Sequence, residues 1–503
     1  MTQTSRFGGE RPPATAGASL EARSGLPPWT PAELPRPPSP RGLQWLGVVG
    51  PGVIVLGASI GSGEFLLGPA VFVRHGLTLL WVAGIAIVLQ TLFNTELMRY
   101  TLATGEPIFT GFMRTKPSST AWAWFYAGLY FLQVGWPAWA GTAAGAIFFL
   151  FSRRMAGPAE ANAVYLIGVG TFLLCVAILL VGRRIERTLE ILNWVLIVAI
   201  LGGFLVLGLL YVPAGTWLAG VLGFAGFDPG GGGFELLPAD ADFFLLGALV
   251  AYAGTGGVGN LTLTNWARDK GYGMSSRAGY IPAAVGGHKV DLAASGFMFT
   301  PDAESSGRWR GWWRIVRADQ WAVFFPGAIL GMLLPALLYV TFIPAGSDIR
   351  GLGIAAALAS SAGEQVGPLV AGVIAFLGAW ILFKTQLDSV DGMTRAITDI
   401  LWTGSSRVRT WRGGDVRAVY YAVLALIVIW GTIALRLAQP IVLLQLGANI
   451  AGVIFIISSI HLLYVNTRLL PPELRPPMWR RAALIAMALF YGFFVALWLG
   501  SLG

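Results

Sequence analysis

Glu64 has the most chemistry to offer, because a carboxylate inside an apolar run has to be paired, protonated or bound to a cation. It sits in the stretch Gly57-Ala58-Ser59-Ile60-Gly61-Ser62-Gly63-Glu64-Phe65. A second stretch, Tyr252-Ala253-Gly254-Thr255-Gly256-Gly257-Val258-Gly259-Asn260, again mixes glycines with a polar residue inside an apolar run. Glycine lets a helix unwind and lets a ligand approach backbone groups that side chains would otherwise block. Gly61, Ser62, Gly63, Glu64, Gly254, Thr255, Gly256 and Asn260 are therefore candidate substrate or ion ligands, with Glu64 the candidate metal ligand. The plainer alternative is close packing of small-residue helices. A third set, Lys384, Gln386, Asp388 and Asp391, continues into Thr394, Arg395 and Asp399. Lys384 and Asp388, like Asp391 and Arg395, are four apart and share a helix face. They either neutralise one another or form a proton or ion relay. Gln445 and Asn449 are also four apart, able to bond between helices or to line a pathway. Glu96 and Arg99 read as an interfacial pair.

Three matches to catalytic or modification motifs carry no such chemistry. Gly57-Ala58-Ser59-Ile60-Gly61 has the spacing of a nucleophile elbow, which requires a preceding strand and a downstream acid and histidine. The histidines are His75, His288 and His461, in no setting that suggests a triad. Gly254-Thr255-Gly256-Gly257-Val258-Gly259 has dinucleotide-loop spacing but lies inside a hydrophobic segment. Asn260-Leu261-Thr262 is a glycosylation sequon at membrane depth. The single cysteine, Cys175, excludes a disulfide framework and a cysteine metal cluster. Neither an enzyme nor a bound cofactor is expected; a transported metal cation is.

The elements that must position these residues follow from composition. Of 503 residues, 55% are hydrophobic and only 12% charged, too few polar groups to cover a soluble protein. Eleven apolar segments can cross a bilayer, near 46–72, 77–98, 122–151, 163–181, 188–212, 243–266, 319–343, 367–393, 418–435, 440–465 and 481–502. Of the 34 Lys and Arg, Arg74, Arg153, Arg154, Arg350 and Arg436 then fall outside and Lys384 within a span. The other 28 lie inside if the N-terminus is cytoplasmic. The net charge of +9 is thus a topology marker with some attraction to anionic lipid, and implies no nucleic-acid partner. Residues 1–43, with nine prolines and no apolar run, read as a disordered cytoplasmic tail. Residues 213–242 read as an external loop and 267–318 as a cytoplasmic one. The latter ends in Trp309-Arg310-Gly311-Trp312-Trp313-Arg314, an interfacial aromatic belt in preference to an RNA-stacking surface.

The two glycine-rich stretches lie in the first and sixth segments, corresponding positions of two five-span halves. That pairing points to a transporter site built from discontinuous helices. The sequence resembles the natural resistance-associated macrophage protein (Nramp) family of proton-coupled divalent metal transporters over nearly all of residues 43–500. The resemblance rests on Gly50-Pro51-Gly52 before the first span, on Gly63, on the stretch from Gln90 through Thr104-Gly105-Glu106, and on Gln386 to Gly392. On this register the family's metal-binding aspartate falls at Gly61, its proline at Ser62 and its asparagine at Glu64. Its Met-Pro-His falls at about Gly254-Thr255-Gly256. The thioether that selects transition metals is therefore absent, leaving a harder set of oxygen donors.

The resemblance implies an all-α integral membrane protein with LeuT-type inverted five-helix repeats: 44–212 and 243–466, joined by the external loop, with an eleventh span in 467–503. Residue pattern and resemblance together lead to a secondary transporter in the inner (plasma) membrane. It would move a metal cation, expected to be divalent, by alternating access, with ion or proton coupling. Its partners would be the lipid bilayer and a small cation or other small-molecule substrate. A transporter of a small organic solute such as an amino acid, and a non-transporting sensor or scaffold, are the other readings. Cavity size separates the first two, since an organic ligand needs a cleft of several hundred Å³.

Overall fold

An apolar chain surrounded by hydrocarbon must satisfy its peptide groups internally, which long helices do. The computed structural model describes residues 24–181, 185–230, 233–234, 236–278, 296–349 and 353–502. Among them ten helices are long and apolar enough to cross a membrane: Pro51–His75, Leu77–Thr104, Ser119–Ser152, Pro158–Leu180, Asn193–Tyr211, Ala303–Phe342, Pro368–Gly404, Val416–Ala434, Pro440–Arg468 and Met478–Gly500. The expected sixth span lies between the fifth and sixth of these. It consists of two short helices, Phe243–Tyr252 and Val258–Asp269. The eleven-span plan therefore stands, as two five-helix repeats and a final helix. The third span is also interrupted, where Ser119–Val134 gives way to Ala138–Ser152 across Gly135-Trp136-Pro137. Proline lacks the donor that would carry the helix through this point.

The first span lies deepest, 94% buried in its most apolar stretch against 28% for the eleventh. It packs against the fifth, sixth, seventh and eighth spans, and the eighth packs in turn on the third, fourth and ninth. At the end of the bundle where the first span begins, Asp319 of the seventh span accepts hydrogen bonds from Gly50 N (2.9 Å) and Gly52 N (2.8 Å). Those are orphan donors of a helix N-terminus, which an acidic group suits. Lys270 donates to Val49 O and Tyr272 to Val48 O, so the end of the sixth span holds the same segment. Glu96 accepts from Arg99 and from Arg480, each at 2.7 Å, while Trp313 lies under both guanidinium groups. The Glu96–Arg99 pair thus forms as expected, with a third member from the last span. Trp312 is buried against protein, and Trp313 packs beneath the guanidinium groups of Arg99 and Arg480.

Residues 1–23 of the expected tail and 279–295 of the long connection lie outside the described residues. Disorder does not extend to 24–43. Thr30–Pro31 pairs in parallel with Phe297–Met298, and Leu26 and Leu34 are buried. Its prolines carry no N–H donor, and its extended carbonyls accept from others: Pro27 O from Arg114 (2.9 Å) and Pro35 O from Trp312 (2.8 Å). Glu106 anchors it, accepting from Trp29, Tyr100, Arg114 and Gly296 N. Burial pushes the Glu106 carboxyl up, but the Arg114 guanidinium and these donors outweigh it and hold the carboxyl below its ordinary 4.5. A carboxyl depressed by folding contributes stability at pH values above its unfolded pKa and loses it as the pH falls through the folded value. Limited proteolysis of the purified protein should therefore cut residues 24–43 in wild type only at strongly acidic pH. Glu106→Gln should be cut there at neutral pH.

Candidate functional site

The break in the sixth span is a backbone event. Gly254, Gly256 and Gly257 have φ of 101°, 83° and 49°, in the left-handed region that favours glycine. Backbone groups of the five residues between the two half-helices consequently leave the helical pattern at membrane depth, although Ala253 N still donates to Leu249 O. Side chains from three other spans bond the groups left open. Glu64 Oε1 accepts from Gly254 N (3.1 Å). Gln90 Oε1 accepts from Thr255 N (3.0 Å), and its Nε2 donates to Ala253 O (2.7 Å). Gln133 Nε2 donates to Gly256 O (3.0 Å), and its Oε1 accepts from Val258 N (2.9 Å). Neither glutamine stood out as a site residue in the sequence. Their signal was a lone amide in the middle of an apolar span, the same signal that singled out Asn260.

The first span differs from expectation. Gly61 and Gly63 do not unwind it; Ile60–Leu67 is wound as a π-helix, with Gly68 N donating to Gly63 O five residues back. Its glycines serve close approach instead. A Cβ on Gly63 would overlap the Tyr252 carbonyl, one on Gly61 the Thr385 hydroxyl, and one on Gly57 both the Asn193 side chain and the Lys384 ammonium. Discontinuity therefore holds for the sixth span and small-residue packing for the first. Wide π-turns are characteristic of functional segments, and a second one, Ala318–Phe324, carries Asp319 in the seventh span.

Between the break and the first, third and eighth spans lies a cavity of about 40 Å³. Ser62, Tyr130, Gln133, Trp139, Thr255 and Asp388 are among its walls. Of the expected ligands, Ser62, Thr255 and Gly256 reach it, with Trp139 Nε1 donating to Ser62 Oγ (3.0 Å). Glu64 does not line it. Two residues on from Ser62, it points to another side of the first span, fully buried, with Oε2 lacking a hydrogen-bond partner and Gly331 of the seventh span beside it. Asn260 also lies elsewhere. It donates to Asn94 (2.9 Å), Asn94 to Gln320 (2.9 Å) and Gln320 to Asp319 (2.8 Å), an amide chain ending at the first span's N-terminus.

The polar stripe of the eighth span divides. Asp388 lines the cavity and forms a buried ion pair with Lys384. Asp391 is paired with Arg395 at 2.7 Å, and Asp399 with Arg268 of the sixth span at 2.9 Å. Those two pairs fit mutual neutralisation. Gln386 accepts from Ala140 N (3.1 Å), capping the second half of the interrupted third span. Asn449 donates to Phe244 O (2.8 Å) and, with Gln445 O also accepting from it, bonds between helices away from the cavity. Among the described residues no group of three or more His, Cys, Asp or Glu stands ready to hold a metal ion. The cavity offers one carboxylate, hydroxyls, an amide and aromatic walls.

If close approach is what Gly63 provides, Gly63→Ala should abolish folded yield, because a backbone carbonyl cannot move aside. Gly128→Ala on the exposed face of the third span, where a Cβ meets nothing within 4 Å, should leave melting temperature unchanged or raise it, the stability gain being at most the ~1 kcal/mol separating alanine from glycine in helices. Melting temperature and size-exclusion profile in detergent would check both.

The sequence matches no protein-family model, and no curated protein is significantly similar to it. Solved structures are. A glutamate-to-alanine variant of the Eremococcus coleocola manganese transporter has a TM-score of 0.64 at 18% identity, covering 94% of this chain and 90% of that one. A histidine-to-alanine variant of the same transporter has a TM-score of 0.63 at 18% identity, covering 93% and 89%. Agreement of this extent across both chains shows that this chain shares the fold of that transporter, the architecture that the sequence resemblance implied.

Proposed function

We propose that this chain is a secondary transporter of a metal cation, working by alternating access around the cavity between the first, third, sixth and eighth spans. The observation that carries the reading is the cavity's size, about 40 Å³. That is room for little more than a water molecule or a bare ion. An organic solute requires several hundred Å³, so the amino-acid alternative is not favoured. The likeness of the whole fold to a manganese transporter supports the same conclusion.

Oxygen donors from Ser62, Thr255 and Asp388 would meet the ion. Such a set suits magnesium, manganese and calcium, whereas a site for softer metals draws on thiolate or thioether. Glu64 takes the coupling role. It holds the break at Gly254 without lining the cavity and has no ion-pair partner among the described residues. A change in its proton or cation occupancy acts directly on the geometry of the break. The excess of Lys and Arg at the end where the first span begins supports a cytoplasmic N-terminus in an inner membrane.

Uptake of manganese, magnesium and calcium into proteoliposomes, with and without a pH gradient, tests this reading. Wild type should carry at least one of the three. Asp388→Asn should lose at least about tenfold, the equivalent of one charge-assisted contact. Glu64→Gln should retain binding but lose the response to the gradient. Absence of flux for all three ions, with wild type equal to Glu64→Gln, would overturn it.

A further inference from the structure

Asp388 has two claims on it. It is the only carboxylate among the residues lining the cavity, and it is already paired with the Lys384 ammonium one helical turn away. The neighbouring acids are not available to relieve it, since Asp391 and Asp399 are held by Arg395 and Arg268. The ammonium is itself confined. It presses on the backbone of Gly57, where a Cβ would overlap both it and Asn193 Oδ1, so the first and fifth spans close over it. Asn193 is buried, with neither side-chain polar atom hydrogen-bonded. A substrate cation entering the cavity thus meets a carboxylate whose charge is already cancelled by a cation belonging to the protein.

We propose that Lys384 determines selectivity and affinity by competing with the substrate cation for Asp388. The inference rests on the transport reading above and deepens it. An ion binds by drawing Asp388 away from the ammonium, and it is released as the ammonium returns, which keeps affinity low enough for turnover. The competition weighs most heavily on doubly charged ions. With Lys384 in place the pair is neutral and a dication leaves the site with two positive charges, whereas a lone Asp388 would leave it with one. Coulombic cost in a poorly solvated cavity follows that difference. Lys384 therefore holds down the affinity for dications more than that for monovalent ions.

Equilibrium binding of manganese and of sodium to the full-length protein in detergent, for wild type, Lys384→Met and Lys384→Gln, tests the proposal. Both variants should bind manganese at least about tenfold more tightly, with a smaller gain for sodium, and should turn over more slowly in proteoliposomes because release becomes limiting. Damage to the structure alone would weaken binding, so tightened affinity is a signature that a purely structural role does not give. Manganese affinity unchanged or weaker in a folded variant overturns the proposal. If neither variant folds without metal, manganese added during extraction should restore a monodisperse protein, the substrate replacing the missing ammonium; failure to restore it also overturns the proposal. Wild type that binds none of manganese, magnesium or calcium would instead refute the transport reading itself.

Discussion

A helix opened inside a membrane exposes peptide groups to a medium that cannot bond them, and the arrangement of the central spans answers that constraint. The sixth span is open over five residues. Its donors and acceptors are taken up by Glu64, Gln90 and Gln133, one from each of the first three spans. Each satisfied group removes a cost of several kcal/mol in hydrocarbon. The same bonds fix the first three spans around the break, so the cavity is bounded by elements whose positions are set by backbone accounting. Any movement that changes access to the cavity has to exchange those bonds as a set.

The second organising feature is the approach of the first span to its neighbours. Glycine at 57, 61 and 63 brings its backbone against the eighth and sixth spans without an intervening side chain. Buried charge becomes tolerable there because partners are within reach: Lys384 with Asp388, Asp391 with Arg395, Asp399 with Arg268. Ion pairs at such depth are costly to create and more costly to break singly. The eighth span therefore places several charges in line with only one of them, on Asp388, facing the cavity.

Much of this was legible in the sequence, and the parts that were not have physical reasons. The eleven spans follow from runs of apolar residues, and the break in the sixth from glycines clustered beside a polar residue. The first span carries a similar composition, yet its glycines keep helical dihedrals; whether a glycine is used for its φ or for its missing side chain is decided by what packs against it. Glu64 was legible as a residue tied to the break, but the face it occupies depends on π-winding that no spacing rule anticipates. Gln90 and Gln133 were overlooked because one amide in an apolar span looks like any interhelical contact. The segment 24–43 read as part of a disordered tail because it is rich in proline and has no apolar run. Its order comes from Arg114, Trp312 and Glu106, residues distant in sequence.

The blank face of the first span bears on how such a protein can diversify. At position 63 a side chain would meet the Tyr252 backbone, so substitution there forfeits the fold before it can alter the chemistry. New ion preferences are then written in the side chains that reach the cavity: Ser62 in the first span, Thr255 at the break and Asp388 in the eighth. Variation in substrate among proteins built this way would then be concentrated on those few positions, with the contact at Gly63 acting as a fixed template against which they are read.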